Sequence, residues 1–178
     1  MKIHSTALIL VILSGFLSAN KTIEIDISQQ RLYVYEHKSM LASYPISSSS
    51  FGEGQIENSY KTPLGKHKIL NKIGTNVEKN TIFVSRENMN QVAEIVHERH
   101  NNENDYVTSR ILWLDGLEEG HNKGGNVDSF KRYIYIHGTH EEGLIGEKAS
   151  HGCIRMFNND VIELFSYIPE DTEVNIKI

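Results

Sequence analysis

Residues 132–156 of the chain read RYIYIHGTHEEGLIGEKASHGCIRM. The first part of this stretch alternates aliphatic and polar side chains, which is typical of a β-strand with one buried face. Ile134 and Ile136 share the face that belongs to the core. His137 therefore emerges on the opposite face, and we expect a strand over 132–136 that ends beside this histidine.

The second part of the stretch repeats the arrangement around a cysteine. Ile154 and Met156 form the core-facing pair, so Cys153 and Arg155 share the outward face. The loop 138–150 between the two parts contains glycines and is long enough to fold back on itself. The stretch therefore predicts two neighbouring strands that bury aliphatic residues and present a histidine and a cysteine from a rigid scaffold.

Strands dominate the rest of the chain as well, because apolar and polar residues alternate in most segments. The Ser/Gly-rich segment 47–54 is expected to be a solvated connector that can border a site. Further strands are expected at 23–27 and 31–35, which form a hairpin, and at 41–46, 67–70, 111–114 and 173–178.

Two segments show the spacing of amphipathic helices. One spans 85–96 with Ser85 as its N-cap, and the other follows Asn158 as N-cap and ends before Pro169. We therefore predict a mainly β fold: a β-sandwich-like domain of mixed sheets, two of them packed together, with two short helices.

Length and composition limit the classes of function. A chain of 178 residues with 39% hydrophobic and 23% charged residues suits one globular domain with a real core. The formal net charge is −5, and Lys and Arg form no dense run. A nucleic-acid partner is therefore not expected.

The N-terminal residues differ from the rest. Lys2 precedes an apolar run over 7–17, and Ala19 supplies a small residue at a cleavage point. Such a run is too short to span a bilayer, for which about 20 residues are needed, and it is typical of a secretory signal. We expect residues 1–19 to be a signal peptide, or an uncleaved anchor, and residues 20–178 to form one exported domain, located in the periplasm or cell envelope.

The single cysteine, Cys153, has no partner for an internal disulfide. Two imidazoles, His137 and His151, and the guanidinium of Arg155 lie close to it in sequence, and a nucleophilic thiol needs such a base or cation. Gly152 would let backbone amides converge on one point, as an oxyanion requires. This pattern favours acyl transfer through a thioester. A buried cysteine with incidental histidines remains the structural alternative.

A zinc site is the alternative from a different class. It would use four donors, namely His137, His140, His151 and Cys153. These donors lie on a strand end and a Ser-His-Gly-Cys turn rather than on the helix of the known zinc motifs. We therefore expect neither a metal nor a cofactor.

The run His137-Gly138-Thr139, followed by Ser150-His151-Gly152-Cys153-Ile154-Arg155, resembles the signature of the L,D-transpeptidase (YkuD-type) catalytic domain. The similarity extends over the chain from residue 20 to its end. There are two departures: His140 stands where similar members more often carry Asn, and segment 47–54 lacks an early glycine. Other matching segments are 26–36, 60–65, 124–136 and 160–165.

The resemblance implies a role for each matching residue. Cys153 would be the nucleophile and His137 its base, held by the backbone carbonyl of Gly138. His151 and Gly152 would contribute to catalysis and to the oxyanion hole. Arg155 would support the loop or face a substrate carboxylate. The remaining implied residues are Ser150 as a supporting hydrogen-bonder, and Thr139 and Tyr60 as substrate-binding residues.

The implied reaction is peptidyl transfer on bacterial peptidoglycan. The enzyme would attack the third residue of a tetrapeptide stem, release D-Ala and pass the acyl group to an amine. An L,D-carboxypeptidase and an enzyme that attaches or releases a wall-anchored lipoprotein share the thioester step and stay open. A binding module that holds peptidoglycan without reacting would not need the nucleophile and base. The expected partners are stem peptides, with the lipoprotein as a second candidate, and the chain is expected to be monomeric.

Overall fold

The computed structural model describes residues 21–100 and 105–178, so the predicted signal segment lies outside the described residues. The described strands form one mixed sheet of ten strands, and one α-helix, α1, accompanies them. In chain order the elements are β1 Lys21–Asp26, β2 Arg31–Glu36, β3 Ser39–Pro45, β4 Gly65–Ile73, β5 Thr81–Val84, β6 Glu87–Val92, β7 Val107–Gly116, β8 Tyr135–Thr139, β9 Ile154–Met156, α1 Asn158–Tyr167 and β10 Glu173–Lys177.

The sheet joins the two ends of the described chain. Strand β10 lies between β1, to which it is parallel, and β4, to which it is antiparallel. The order along the main path is β3-β2-β1-β10-β4-β7-β5-β6, and β8 branches from β7 to carry β9. The mainly β, mixed-sheet prediction is confirmed. Hydrogen bonds link all ten described strands into one continuous sheet.

The main core lies where the sheet and α1 meet. Val161 and Leu164 of the helix are fully buried with Leu112 of β7, Ile136 of β8 and Ile154 of β9. Burying one such side chain contributes about 1.5–3 kcal/mol. The strands that carry the histidine and the cysteine are thus held rigidly from their apolar face.

The helix predicted over 85–96 is wrong. These residues form the turn between β5 and β6, strand β6 itself and the segment after it. Strand β6 is exposed throughout. Ser85 and Arg86 have φ values of 49° and 72°, so they form a tight two-residue turn instead of starting a helix. Asn-Gly or Asp-Gly is the usual signal for such a turn, and Ser-Arg gives none.

Helix α1 is present, but Asn158 is its first residue rather than its cap, and its side chain makes no cap hydrogen bond. Instead, the buried Asn158 amide donates to the Thr139 carbonyl at 2.7 Å. Its oxygen accepts from the hydroxyls of Thr108 and Ser109 at 2.7 and 2.6 Å. The amide therefore ties α1 to β7 and β8 beside the predicted site.

None of the helices within 21–100 and 105–178 has the length and apolar character needed to cross a membrane.

A buried histidine in β4 predicts acid sensitivity. His67 Nδ1 donates to the Gly65 carbonyl at 3.0 Å, and Nε2 lies 2.9 Å from the Ser129 hydroxyl. Burial lowers the pKa of His67 to about 4 from the ordinary value of 6.5. Between pH 6.5 and pH 4 His67 binds a proton in the unfolded chain but not in the folded chain. The free energy of unfolding therefore decreases as the pH falls from 6.5 towards 4.

We expect this one residue to remove about 2 kcal/mol of the unfolding free energy between pH 7.5 and pH 5. Urea unfolding of wild type and His67→Gln at both pH values measures the difference. The variant should lose less stability on acidification. His37→Asn, at an exposed position, is the matched control and should behave as wild type. Equal acid losses in His67→Gln and wild type would contradict the expectation.

Candidate active site

The site is built on the parallel pair β8–β9, in which Ile136 is opposite Ile154 and His137 opposite Arg155. The two isoleucines are fully buried in the main core. His137 and Arg155 therefore lie on the other face, together with Cys153, which immediately precedes β9. The alternation read from the sequence is confirmed, although β8 begins at Tyr135 and not at residue 132. Tyr133 has a φ of 58°, which breaks the extended backbone before that point.

The Cys153 sulfur is half-buried between two backbone groups. It accepts from the Tyr135 N–H at 3.4 Å and donates to the Tyr133 carbonyl at 3.3 Å. It also packs beside the buried aromatic cluster of Trp113 and Tyr135. Burial raises the pKa of the thiol to about 12, whereas the Tyr135 N–H favours the thiolate. At neutral pH the resting sulfur is a thiol that needs a base.

His137 lies on the same face of the β8–β9 pair. Its side chain is buried, and Nδ1 donates to the Gly138 carbonyl at 2.7 Å, which leaves Nε2 as the proton acceptor. Burial lowers the pKa of His137 below its ordinary value, while Asp105 and the Gly138 carbonyl act in the opposite direction. The imidazole is therefore neutral at pH 7. Within the described residues, the hydrogen bonds of the Cys153 sulfur go to backbone groups and not to His137.

Gly138 allows this close packing. A Cβ at this position would lie 2.5 Å from the Asn158 side-chain oxygen and 2.8 Å from the Thr108 carbonyl. Any side chain would push β8 away from α1 and β7. Thr139 is fully buried, and its hydroxyl accepts from the Glu141 N–H at 3.1 Å, so the structure places it behind the site rather than on its surface.

The turn 150–153 shapes the backbone at the cysteine. Ser150 Oγ donates to the Cys153 carbonyl at 2.6 Å and accepts from the Gly152 N–H at 3.2 Å. Gly152 has a φ of 124°, a conformation that other residues rarely adopt. Thr62 Oγ1 holds the Gly152 carbonyl at 3.0 Å. In the described part of the chain the Cys153 N–H has no acceptor, so it is available to an oxyanion.

Segment 47–54 is not the solvated connector expected from its composition. Ser47, Ser48 and Ser49 are buried. The Ser47 backbone pairs with Arg155, and Ser49 pairs with Ser150. The segment therefore forms one wall of the site and fixes the turn that carries the cysteine.

An open cavity of ≈ 210 Å³ is lined in part by Tyr60, Arg132, Tyr133 and His151, and the Tyr133 carbonyl accepts from the Cys153 thiol. Tyr60 and Tyr133 both have a φ of 58° and both are exposed. Left-handed backbone at a bulky residue is strained, and such strain concentrates at functional sites. The rings of Phe51 and Tyr60 lie 5.9 and 6.1 Å from the His151 ring.

A buried charge network lies behind the cavity. The fully buried Arg155 pairs with Glu141 at 2.9 Å and with Asp105 at 2.7 Å. The other Asp105 oxygen lies 2.8 Å from His151 Nδ1. Burial alone would raise the pKa of Asp105, but the charge and hydrogen bond of Arg155, together with His137 and His151, hold it below the ordinary value. Arg155 therefore links the carboxylates of Glu141 and Asp105.

The sequence matches the model of the YkuD family, the L,D-transpeptidase catalytic domain, over residues 20–176. The chain belongs to the L,D-transpeptidase catalytic domain family. The resemblance seen in the two motifs is confirmed at the level of the family.

Individual L,D-transpeptidases are also similar to the chain in sequence or in fold. The YkuD protein of Bacillus subtilis, named as an L,D-transpeptidase, is 45% identical over 60 residues, which are 31% of this chain and 37% of the relative. L,D-transpeptidase 3 from Mycobacterium tuberculosis, solved with a faropenem-derived adduct, has a TM-score of 0.56 at 14% identity, covering 90% of this chain and 61% of that one. An L,D-transpeptidase from Mycobacterium smegmatis gives 0.53 at 16%, covering 90% and 59%. The structural likeness concerns the fold.

Two polar residues of this L,D-transpeptidase domain were missed by sequence reasoning. Arg132 donates to three backbone carbonyls, including Gln55 at 2.7 Å and Lys61 at 2.6 Å, and so holds the cavity wall. Asp105 reaches His151 across 46 sequence positions. Asp105 had no motif to mark it. Arg132 is the first residue of the RYIYIH run, and this position was the available signal for that residue.

The four side chains of the zinc alternative are not grouped as metal ligands in the described part of the chain. His137 Nδ1 binds the Gly138 carbonyl, His151 Nδ1 binds Asp105, and Cys153 binds backbone groups. His140 packs on the Tyr106 ring with centroids 4.8 Å apart. Over residues 21–100 and 105–178, no group of three or more His, Cys, Asp or Glu side chains is arranged to hold a metal ion.

Proposed function

We propose that the chain is a cysteine-dependent L,D-transpeptidase that acts on the tetrapeptide stems of peptidoglycan. The observation that carries the proposal is the parallel β8–β9 pair, with His137 opposite Arg155 and Cys153 immediately before β9. The Cys153 thiol donates to the carbonyl of Tyr133, which lines the open cavity. A protonated thiol and a buried neutral imidazole suit general-base activation, in which the proton moves as the sulfur attacks.

The reaction would run in two halves. Cys153 attacks the carbonyl of the third stem residue while His137 Nε2 takes the thiol proton. The Cys153 N–H stabilises the oxyanion, and His137 returns the proton to the nitrogen of the departing D-Ala. An amine then attacks the thioester, and the C–S bond breaks. We expect the stem peptide to bind in the open cavity, and Tyr60 lies at the rim of this cavity.

Incubation of the purified protein with a tetrapeptide stem tests this function. Intact-mass measurement should show an acyl adduct on Cys153 with release of D-Ala, and a peptide product should form when an amine acceptor is added. The imipenem complex solved for another L,D-transpeptidase makes a carbapenem a useful second probe. Release of D-Ala with water as the acceptor would instead identify an L,D-carboxypeptidase. Absence of any adduct would overturn the proposal.

The pH dependence of the adduct-forming step follows from the buried base. His137 must be neutral to accept the proton, and burial lowers its pKa below 6.5. We therefore expect the acylation rate to reach half of its plateau value only at a lower pH, and to stay above half at pH 6.5. A base with the ordinary pKa of about 6.5 would already lose half of its rate at that pH. Stopped-flow measurement with a carbapenem gives the profile.

His137→Gln should abolish this acid limb, because the base itself is removed. His151→Gln is the matched control and should keep the limb. Loss of the limb in His151→Gln and its retention in His137→Gln would reverse the two roles.

We also propose that residues 1–19 direct export and that the enzyme works in the cell envelope. Fractionation should find a shortened protein beginning near Asn20 outside the cytoplasmic membrane. Cells without the gene should lose either cross-links between third stem residues or the lipoprotein attached there, and the species that disappears names the acceptor. A full-length cytosolic protein with an unchanged muropeptide profile would contradict the wall role.

A further inference from the structure

His151 and Asp105 form a pair that the activation of Cys153 does not use. His151 Nδ1 lies 2.8 Å from an Asp105 oxygen, and the other oxygen of Asp105 lies 2.7 Å from the Arg155 guanidinium. Because the carboxylate accepts, Nδ1 carries the proton and Nε2 is left with a lone pair. Within the described ranges, Nε2 of His151 has no hydrogen-bond partner.

The His151 ring has the exposure that His137 lacks. The His151 side chain is 46% exposed and lines the open cavity, whereas His137 is only 2% exposed. The rings of Phe51 and Tyr60 flank it at 5.9 and 6.1 Å. An amine that enters the cavity from solvent therefore meets His151 before it can reach His137.

The carboxylate is itself fixed from behind. Arg155 is fully buried, and Glu141 holds it on its other side at 2.9 Å. The charge of Asp105 also raises the pKa values of His137, His140 and Cys153 relative to what burial and Arg155 alone would give. An oriented carboxylate that holds a histidine by Nδ1 sets the tautomer and aims the ring.

We propose that Asp105, anchored by Arg155, is a positioning residue that aims His151 Nε2 into the cavity, where it takes the proton of the acceptor amine. This inference rests on the proposed transpeptidase function and assigns the second half of that reaction. The amine nitrogen bonds to the thioester carbon and the C–S bond breaks. His151 takes the amine proton and returns it, through solvent in the open cavity, to the departing Cys153 thiolate. The two halves of the reaction would thus use different bases.

Asp105→Asn tests the assignment because an amide can donate to Nδ1 and favour the wrong tautomer. The purified full chain is mixed with a tetrapeptide donor, and acyl-enzyme formation and transfer to an amine acceptor are timed separately. We expect transfer to fall about 10- to 100-fold, the usual effect of losing such an orienting partner, and acylation to fall by less than about threefold. Asp171→Asn, which removes an exposed carboxylate paired with Lys68, is the matched control and should change neither step.

A spectroscopic measurement separates positioning from a merely structural role. The imidazole ¹⁵N spectrum of His151, assigned by its loss in His151→Gln, should show the Nδ1–H tautomer in wild type and a shift towards Nε2–H in Asp105→Asn. Equal slowing of both steps with an unchanged tautomer would overturn the proposal, as would wild-type transfer in the variant.

The proposal stays testable if Asp105→Asn fails to fold. His151→Gln should then slow transfer much more than acylation, and wild-type transfer by that variant would overturn the assignment. If wild type forms no acyl-enzyme at all, the proposed function fails. The tautomer measurement on wild type still decides whether Asp105 orients His151.

Discussion

Cys153→Ala is expected to abolish acyl-enzyme formation and to lower D-Ala release by at least about 10⁴-fold. Removal of a nucleophile leaves only binding and the oxyanion donor, which give a small residual rate over water. The alanine removes one sulfur from a half-buried position, where it meets the aromatic cluster of Trp113 and Tyr135. The fold should therefore persist, with an unchanged circular dichroism spectrum.

The measurement is intact mass after incubation with a tetrapeptide donor and, separately, with a carbapenem. Wild type should gain one acyl mass in each case, and the variant should gain none. Cys153→Ser keeps a hydroxyl in the same place and is the control for shape. A Cys153→Ala protein that still releases D-Ala at the wild-type rate would remove Cys153 from the reaction.

Arg155→Met is expected to reduce the unfolding free energy by about 3–5 kcal/mol, the range for breaking a buried ion pair. The guanidinium lies between the carboxylates of Glu141 and Asp105 and is completely buried. Removing it takes the compensating charge from two carboxylates that are themselves largely buried. Methionine fills a similar volume, so the loss reports charge rather than a cavity.

Urea unfolding at pH 7.5 measures this loss. Arg155→Lys restores one charge without the two-pronged geometry and should lose less than Arg155→Met. Lys68→Met is the matched control, because it breaks an exposed pair with Asp171 and should leave the midpoint almost unchanged. A loss in Arg155→Met no larger than in the control would show that the network does not support the fold.

The strands were predictable wherever one face is buried and the other is polar. Ile23 and Ile25 in β1, and Ile136 in β8, occupy the core as the period-two pattern predicted. The pattern failed at 85–96, where chance spacing imitated a helix and the Ser85-Arg86 turn carried no sequence signal. Strand β6 is exposed on both faces, so it leaves no alternation to read.

The site was predictable only as far as its residues are local in sequence. His137 lies on β8 and Cys153 immediately precedes the neighbouring β9, so their shared face followed from the alternation of the two segments. Asp105 reaches the site because β7 pairs with β8, with Val107 opposite Thr139. A sequence does not reveal that register. The burial of Ser47 depends in the same way on its long-range pairing with Arg155.

The position of β10 has a consequence for how the molecule acquires its shape. Strand β10 is synthesised after the other described strands and yet lies between β1 and β4, so neither of these can complete its ladder until residues 173–177 have left the ribosome. Until then two inner strands present unpaired edges, which favours association between chains. Such pairing between distant segments also folds slowly. We therefore expect the nascent chain to need a chaperone until β10 pairs with β1 and β4.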